Sequence, residues 1–217
     1  MKVLHWDTII DRLDSLDGGY SRTEQFAEVS QQINEAIWGT VWPPGADTFT
    51  IYPESGKARG EGNGVKPIKD GFVSTLANFG WELEKRAPAR QGVESGAKGS
   101  RPGAFDCHRE LGGGFAPFAV EWETGNVSSS HRAINRIALG ILWGYISGGI
   151  LVVPSGAMAR YLTDRIGNAP ELEPYFDLWR EWQLAPTAYL AVVTVEHDDE
   201  STSVPRIPKG TDGRALA

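Results

Sequence analysis

Apolar residues recur at helical spacing in the first part of the chain. The first run consists of Ile9, Ile10, Leu13 and Leu16. Glycines at 18–19 end this run, and a second apolar face follows over residues 23–38. The pattern therefore predicts that residues 1–38 form a helical N-terminal part.

The rest of the pattern alternates between helical and extended segments. We expect further helices over residues 67–86, from Ser129 or Ser130 to 146, and over 158–166 and 171–182. Extended segments are expected at 48–52, 104–111, 115–123, 150–153 and 189–195, with a hairpin at the three glycines 112–114. A polar C-terminal tail follows over 198–217. This order predicts an α/β fold, a single domain over 1–217 with a mixed central β-sheet flanked by helices.

Composition and charge narrow the class of protein. The 217 residues are 41% hydrophobic and 23% charged, typical of a globular protein. One cysteine, Cys107, excludes an internal disulfide and a cysteine-built zinc site. The apolar stretch 137–154 is interrupted by Ser147-Gly148-Gly149, so we expect buried core rather than a membrane span. With no signal peptide recognisable, a cytoplasmic protein with no membrane partner is expected.

The net charge of −7 argues at first against a nucleic-acid partner, because phosphate binding normally needs a cationic surface. The charge is unevenly distributed, however. Residues 84–165 hold ten basic and seven acidic side chains, so the excess of acid lies elsewhere along the chain. A local cationic cleft therefore remains compatible with the acidic total.

Three carboxylates could meet near the predicted hairpin. Glu121 and Glu123 are two residues apart on an extended segment, so their side chains are expected on one face. Asp106 lies on the preceding strand and can approach that face if the strands pair. Such oxygen ligands suit Mg²⁺. The alternative is the solvated face of an ordinary half-buried strand, and the spacing alone does not decide between the two.

Longer blocks of sequence carry a family resemblance. They are Trp42-Pro43, Thr48-Phe49-Thr50-Ile51, Asn63–Lys69, Glu121–Arg132, Tyr161–Arg165, Glu171–Phe176 and Val204–Gly213. In this order the blocks resemble the BamHI-like type II restriction endonucleases of the PD-(D/E)XK superfamily. The first 38 residues and the segment 87–103 show no such match.

The resemblance implies a homodimer that hydrolyses one phosphodiester in each strand of a palindromic double-stranded DNA site, expected to be GGATCC. It implies two Mg²⁺ per active site, with Asp106 and Glu121 as shared ligands and Glu84 as the fourth acidic residue, although Glu82 is close enough to compete for that role. The Trp122 backbone carbonyl would add a ligand. Glu123 would be the base that activates the attacking water.

The resemblance also implies where DNA is read. Asn126 and Ser128, just beyond the catalytic strand, and the pair Asp164-Arg165 would contact bases, since arginine reads guanine and aspartate can accept from cytosine. Further phosphate contacts are expected from Lys69 and Arg132. A cognate DNA methyltransferase is expected in the same system, without a stable complex. The alternative function is a sequence-specific DNA-binding protein without catalytic activity.

Overall fold

The computed structural model describes residues 1–14, 18–58, 60–88, 102–163 and 165–210. Its strands are β1 (Lys2–Arg12), β2 (Thr50–Ile51), β3 (Glu82–Arg86), β4 (Ala104–Arg109), β5 (Phe118–Trp122), β6 (Gly148–Pro154), β7 (Ala188–Glu196) and β8 (Asp199–Glu200). Its α-helices are α1 (Glu24–Trp38), α2 (Lys66–Asn78), α3 (Val127–Leu142), α4 (Gly156–Ala159), α5 (Ala169–Leu172) and α6 (Phe176–Arg180). Within these described ranges, no helix is long and apolar enough to cross a lipid bilayer.

A six-stranded sheet organises the fold, in the order β1-β7-β6-β5-β4-β3. The strands β5, β6 and β7 are parallel, whereas β1, β4 and β3 join through antiparallel pairs. Buried residues of α1 and α2 pack on one face, and those of α3, α5 and α6 pack on the other. The α/β class and the mixed central sheet flanked by helices are confirmed.

The first predicted helix is wrong, because β1 occupies residues 2–12 and pairs along β7. The pairing register shifts between Thr8 and Ile10, and both Ile9 and Ile10 are buried. A bulge breaks the two-residue alternation of a strand, so adjacent apolar residues can both face the core. That irregularity imitates the helical period. The second helix, α1, is confirmed, so only part of the N-terminal segment is helical.

The helix predicted over 67–86 is too long. The helix α2 ends at Asn78, where Gly80 adopts a positive φ of 85°, and the edge strand β3 follows. Leu83, whose spacing places it on the apolar face of the predicted helix, is instead 43% exposed on that strand. The apolar period continued past the true end because Phe79 and Leu83 fell in phase with it by spacing alone.

Other boundaries also differ. The cap of α3 is Asn126 rather than a serine, and α3 ends at Leu142. The helix expected over 158–166 is reduced to the single turn α4, and that over 171–182 is divided into α5, a 3₁₀ turn at Glu173–Tyr175 and α6. Pro174, which cannot donate a backbone hydrogen bond, lies in that 3₁₀ turn.

The C-terminal segment is more than a polar tail. Its strand β8 pairs in parallel with β2, and Ile207 is buried. Asn63 joins this segment to the rest, because its side-chain oxygen accepts from the Ile207 backbone N–H at 3.0 Å while its side-chain nitrogen donates to the Tyr52 and Tyr161 carbonyls, each at 2.8 Å. Buried Asn63 therefore connects three of the sequence blocks that resemble the family, namely Asn63–Lys69, Tyr161–Arg165 and Val204–Gly213.

Candidate active site

Two buried carboxylates lie where β4 and β5 part. The backbone pairs of these strands run from Arg109↔Phe118 to Cys107↔Val120, and Asp106 and Glu121 lie just beyond. One carboxylate oxygen of Asp106 accepts the Trp122 backbone N–H at 2.8 Å, which satisfies a donor at this point. The hairpin prediction thus correctly brought Asp106 next to the Glu121 strand.

Each carboxylate has a cation partner from a different helix. Lys69 of α2 donates from Nζ to Asp106 Oδ1 at 2.6 Å. Arg136 of α3 donates from Nη1 to Glu121 Oε1 at 2.6 Å and also to the Ala104 carbonyl at 2.6 Å. Helices on opposite faces of the sheet therefore supply one positive charge to each carboxylate, as burial of charged groups requires.

The electrostatics reflect this burial. Glu121 is 3% exposed. Burial, the largest cause, and the neighbouring Asp106 carboxylate raise the pKa of Glu121 to about 8, although the Arg136 guanidinium acts in the opposite direction. Burial works to lower the pKa of Lys69, yet the charges of Asp106, Glu84 and Glu121 raise it on balance. Lys69 is thus held as a cation inside an acidic group.

Glu84, rather than Glu82, contributes to this group. Glu84 has an unusual φ of 51° within β3, and its charge acts on Lys69. Glu82 instead forms an ion pair with Lys85 at 2.6 Å and lies in register with His108 of β4. The arrangement of the two strands favours Glu84 as the fourth acidic residue.

Glu123 follows β5 and turns onto its own backbone. Its Oε1 accepts from the backbone N–H of Thr124 at 3.1 Å and of Gly125 at 2.8 Å. A Cβ at position 125 would lie 2.9 Å from the same oxygen and 2.8 Å from the Ser129 hydroxyl, so a larger residue there would displace these side chains. Trp122 points to the opposite side, where its ring packs 4.6 Å from that of Phe72 of α2.

The predicted DNA-reading residues lie around the start of α3. The Oδ1 atom of Asn126 accepts the Ser129 backbone N–H at 3.1 Å, Ser128 is exposed in the first turn, and Arg132 donates to the Ser129 hydroxyl at 3.2 Å. Exposed Arg165 has a φ of 67°. Asp164 lies outside the described residues.

A backbone bond joins the Arg165 loop to the turn that holds Glu123. The Gly167 N–H donates to the Gly125 carbonyl at 2.8 Å. A Cβ on Gly167 would lie 2.8 Å from the Val127 nitrogen, so the two segments touch through backbone. The loop proposed to read bases and the carboxylate proposed to activate water are therefore neighbours.

Another group of possible metal ligands lies two residues along the same strands. One ligand atom from each of Glu82, His108 and Glu110 lies within 4.8 Å of the other two. In the part of the chain that the structure describes, no other group of three such residues meets this spacing. The set expected from the sequence, Asp106, Glu121 and Glu123, does not meet this spacing, and Lys69 and Arg136 are the direct partners of its two buried members.

Sequence reasoning missed two residues here. We gave no role to Arg136, although a buried Glu121 required a counter-charge and α3 directly follows its strand. His108, which is 6% exposed, also has no role in the sequence analysis, because it has no partner at the spacing of a zinc site. Burial lowers the pKa of His108 despite the nearby carboxylates of Glu110 and Glu82. The sequence signal for His108 was its position two residues after Asp106 on the same strand. That position suggests a metal ligand only once the pairing of β3 with β4 places Glu82 opposite His108.

Known structures first define the class of the fold. The structure is similar to the crystal structure of restriction endonuclease BglII complexed with a DNA 16-mer, with a TM-score of 0.59. The match covers 91% of this chain and 79% of that chain at 11% sequence identity, so it establishes a restriction-endonuclease fold.

Sequence comparisons then define the family. The family model "Restriction endonuclease BamHI" matches residues 1–214, including the segments where the sequence blocks gave no match. The chain is 48% identical over 188 residues to the type II restriction enzyme OkrAI of Oceanobacter kriegii, covering 87% of this chain and 89% of that one. It is 32% identical over 196 residues to the type II restriction enzyme BamHI of Bacillus amyloliquefaciens, covering 89% and 85%. The chain belongs to the BamHI family of type II restriction endonucleases.

Proposed function

We propose that the protein is a Mg²⁺-dependent endonuclease that cuts both strands of double-stranded DNA at GGATCC. The observation that carries the proposal is the buried Asp106–Glu121 pair, bracketed by Lys69 and Arg136, in a chain of this family. A binding protein without activity has no use for two carboxylates desolvated side by side. Their mutual repulsion is a stability cost that a catalytic group explains.

The donor set fits Mg²⁺. Asp106, Glu121 and Glu84 would hold the ions together with the Trp122 backbone carbonyl, and all four donors are the hard oxygens that this cation prefers. Burial and then the Asp106 carboxylate raise the pKa of Glu121, and bound divalent cations would oppose both effects by stabilising the ionised carboxylate. When bound, the metals lower the pKa of a water and neutralise charge on the phosphate in the transition state.

The protein side chains would then orient the reactants. Glu123, whose Oε1 accepts two backbone N–H bonds, would take the proton of the attacking water at its other carboxylate oxygen. Lys69 would attract a phosphate oxygen through the same ammonium that contacts Asp106. Arg136 would keep Glu121 oriented from the far side of the sheet.

Recognition would use the edge formed by the start of α3 and the Arg165 loop. Asn126, Ser128 and the pair Asp164-Arg165 would contact base edges, with Arg132 on phosphate. A palindrome has two identical half-sites, so a homodimer would match its symmetry. Large apolar side chains are exposed outside this edge and offer a surface for a second copy; they include Leu142, Tyr175 and Leu178.

The test is a cleavage map. We expect plasmid DNA incubated with the protein and Mg²⁺ to give discrete fragments whose ends map to GGATCC, and DNA premethylated at that sequence to resist. Addition of EDTA should abolish the reaction. Fragments that map elsewhere would refute the specificity, and random degradation would refute a type II enzyme.

A variant separates the endonuclease from the alternative of an inactive DNA-binding protein. Glu123→Ala should bind a duplex that contains the site yet cut it negligibly, because the proton acceptor is gone. Glu24→Ala, an exposed glutamate in the first turn of α1, is the matched control. If wild-type protein binds the site in Mg²⁺, Mn²⁺ and Co²⁺ without cutting, the alternative is correct.

A further inference from the structure

The group of Glu82, His108 and Glu110 lies at the edge of the sheet and takes no part in the proposed cleavage. Glu82 of β3 and His108 of β4 are direct cross-strand partners, so their side chains share one face. Glu110 follows His108 by two residues, which returns its side chain to that face. The backbone itself therefore gathers the three ligands.

A buried imidazole lies next to the two carboxylates. His108 is 6% exposed, and its Nδ1 atom is buried without a hydrogen-bond partner in the part of the chain that the structure describes. A buried polar atom normally has a partner, and leaving it unpaired costs free energy. One ring nitrogen of this histidine lies within 4.8 Å of carboxylate oxygens of both glutamates. A metal ion would coordinate the ring nitrogen that lies near the two carboxylates and so give this buried imidazole a partner.

We propose that Glu82, His108 and Glu110 form a divalent-cation site separate from the carboxylates of the cleavage site, and that it takes a borderline ion such as Zn²⁺. One imidazole and two carboxylates leave a fourth position of a tetrahedral site for water. The imidazole sets the preference, because Mg²⁺ selects oxygen donors whereas Zn²⁺ accepts nitrogen and oxygen together. Ligand atoms in such a site are roughly 3.3 Å apart, so modest side-chain rotation closes the group.

Lys85 is the competitor already present. Its ammonium pairs with Glu82 at 2.6 Å, and both side chains are about half exposed. An exposed pair of this kind contributes little, so a divalent ion can replace it. Removal of the lysine charge should therefore strengthen metal binding, which a merely structural role for these residues does not predict.

The test is calorimetric titration of the full chain with Zn²⁺, without DNA, in the presence of millimolar Mg²⁺. We expect Glu82→Gln/Glu110→Gln, which changes only exposed side chains, to lose at least about tenfold in affinity for one Zn²⁺. His108→Gln should do the same, whereas Lys85→Met should bind severalfold more tightly. Asp106→Asn, which alters the other group, should retain this binding, and His5→Gln is the histidine control.

The results decide the proposal independently of DNA cleavage. Unchanged Zn²⁺ binding in the Glu82/Glu110 double variant would overturn it. Loss of binding in Asp106→Asn with retention in the double variant would also overturn it, because the ion would then belong to the other group. A failed cleavage map affects neither measurement, so the two proposals fail separately.

Discussion

Two groups of ionisable side chains both include a residue of β4 and differ in how deeply their carboxylates are buried. Asp106 and Glu121 lie between helices on both faces of the sheet, and the fold supplies Lys69 and Arg136 as their partners. Glu82 and Glu110, near the sheet edge, are exposed to water. A buried carboxylate therefore needs a cation that the fold supplies, whereas water stabilises the charge of an exposed one. Only the carboxylates of the first group can therefore have their chemistry tuned by burial.

The largest expected effect follows from removal of a buried carboxylate charge. Asp106→Asn should lower DNA cleavage in Mg²⁺ by at least about 10³-fold, because it removes a proposed metal ligand and the charged partner of Lys69. Asp70→Asn removes an aspartate from an exposed pair with Lys66 on α2, and should cut within about twofold of wild type. Initial rates on a short duplex measure both. If Asp106→Asn cleaved DNA within tenfold of the wild-type rate, the buried carboxylate would not be essential for cleavage, and the proposed difference between the two groups would be wrong.

The second prediction concerns stability. Arg136→Met leaves Glu121 buried without its cation and removes a bond to the Ala104 carbonyl, so unfolding free energy should fall by about 3 kcal/mol. Arg180→Met breaks an exposed pair with Asp177 and should cost less than about 1 kcal/mol. Urea unfolding followed by tryptophan fluorescence measures the difference. Equal losses in the two variants would remove the distinction between buried and exposed pairs.

A smaller effect tests the orientation of Glu123. Gly125→Ala places a methyl group 2.9 Å from the Glu123 carboxylate, so cleavage should fall about 10–100-fold while DNA affinity changes little. Gly112→Ala is the control, because among the described residues no atom beyond its chain neighbours lies within 4 Å of the added methyl group. Single-turnover rates and binding at matched salt separate the two effects. A loss confined to binding would show that the turn serves recognition instead.

The smallest predicted effect is a pH dependence. The pKa of Glu121 is raised in the folded protein to about 8 from its usual 4.5, so the folded state binds a proton more tightly than the unfolded state does. In EDTA, stability should therefore be highest near pH 5 and fall as pH rises towards 8, with Tm lower by about 5 °C. Glu121→Gln should flatten this profile.

Glu110→Gln, in the exposed group, provides the control for that profile. In this variant the stability should still decline between pH 5 and 8 as it does in the wild type, because the Glu110 carboxylate is exposed to solvent. A profile that flattens equally in both variants would assign the decline to general surface charge rather than to burial of Glu121.

Much of the sheet could be predicted from local pattern. The strands β6 and β7 are continuous apolar runs, and the glycines between β4 and β5 marked their hairpin. The edges were harder. The bulged strand β1 was interpreted as a helix, and β3 was absorbed into the end of α2, because neither edge strand shows a clean two-residue alternation.

The amino-acid sequence was sufficient for the fold class, the family and the position of Asp106 next to Glu121, because these depend on local periodicity and on long blocks of residues. The partnership of Glu121 with Arg136, the separation of Glu84 from Glu82 and the gathering of Glu82, His108 and Glu110 emerged only in three dimensions. Each depends on strand register and on which helix covers which face. Those are long-range contacts, and no local pattern of the chain encodes them.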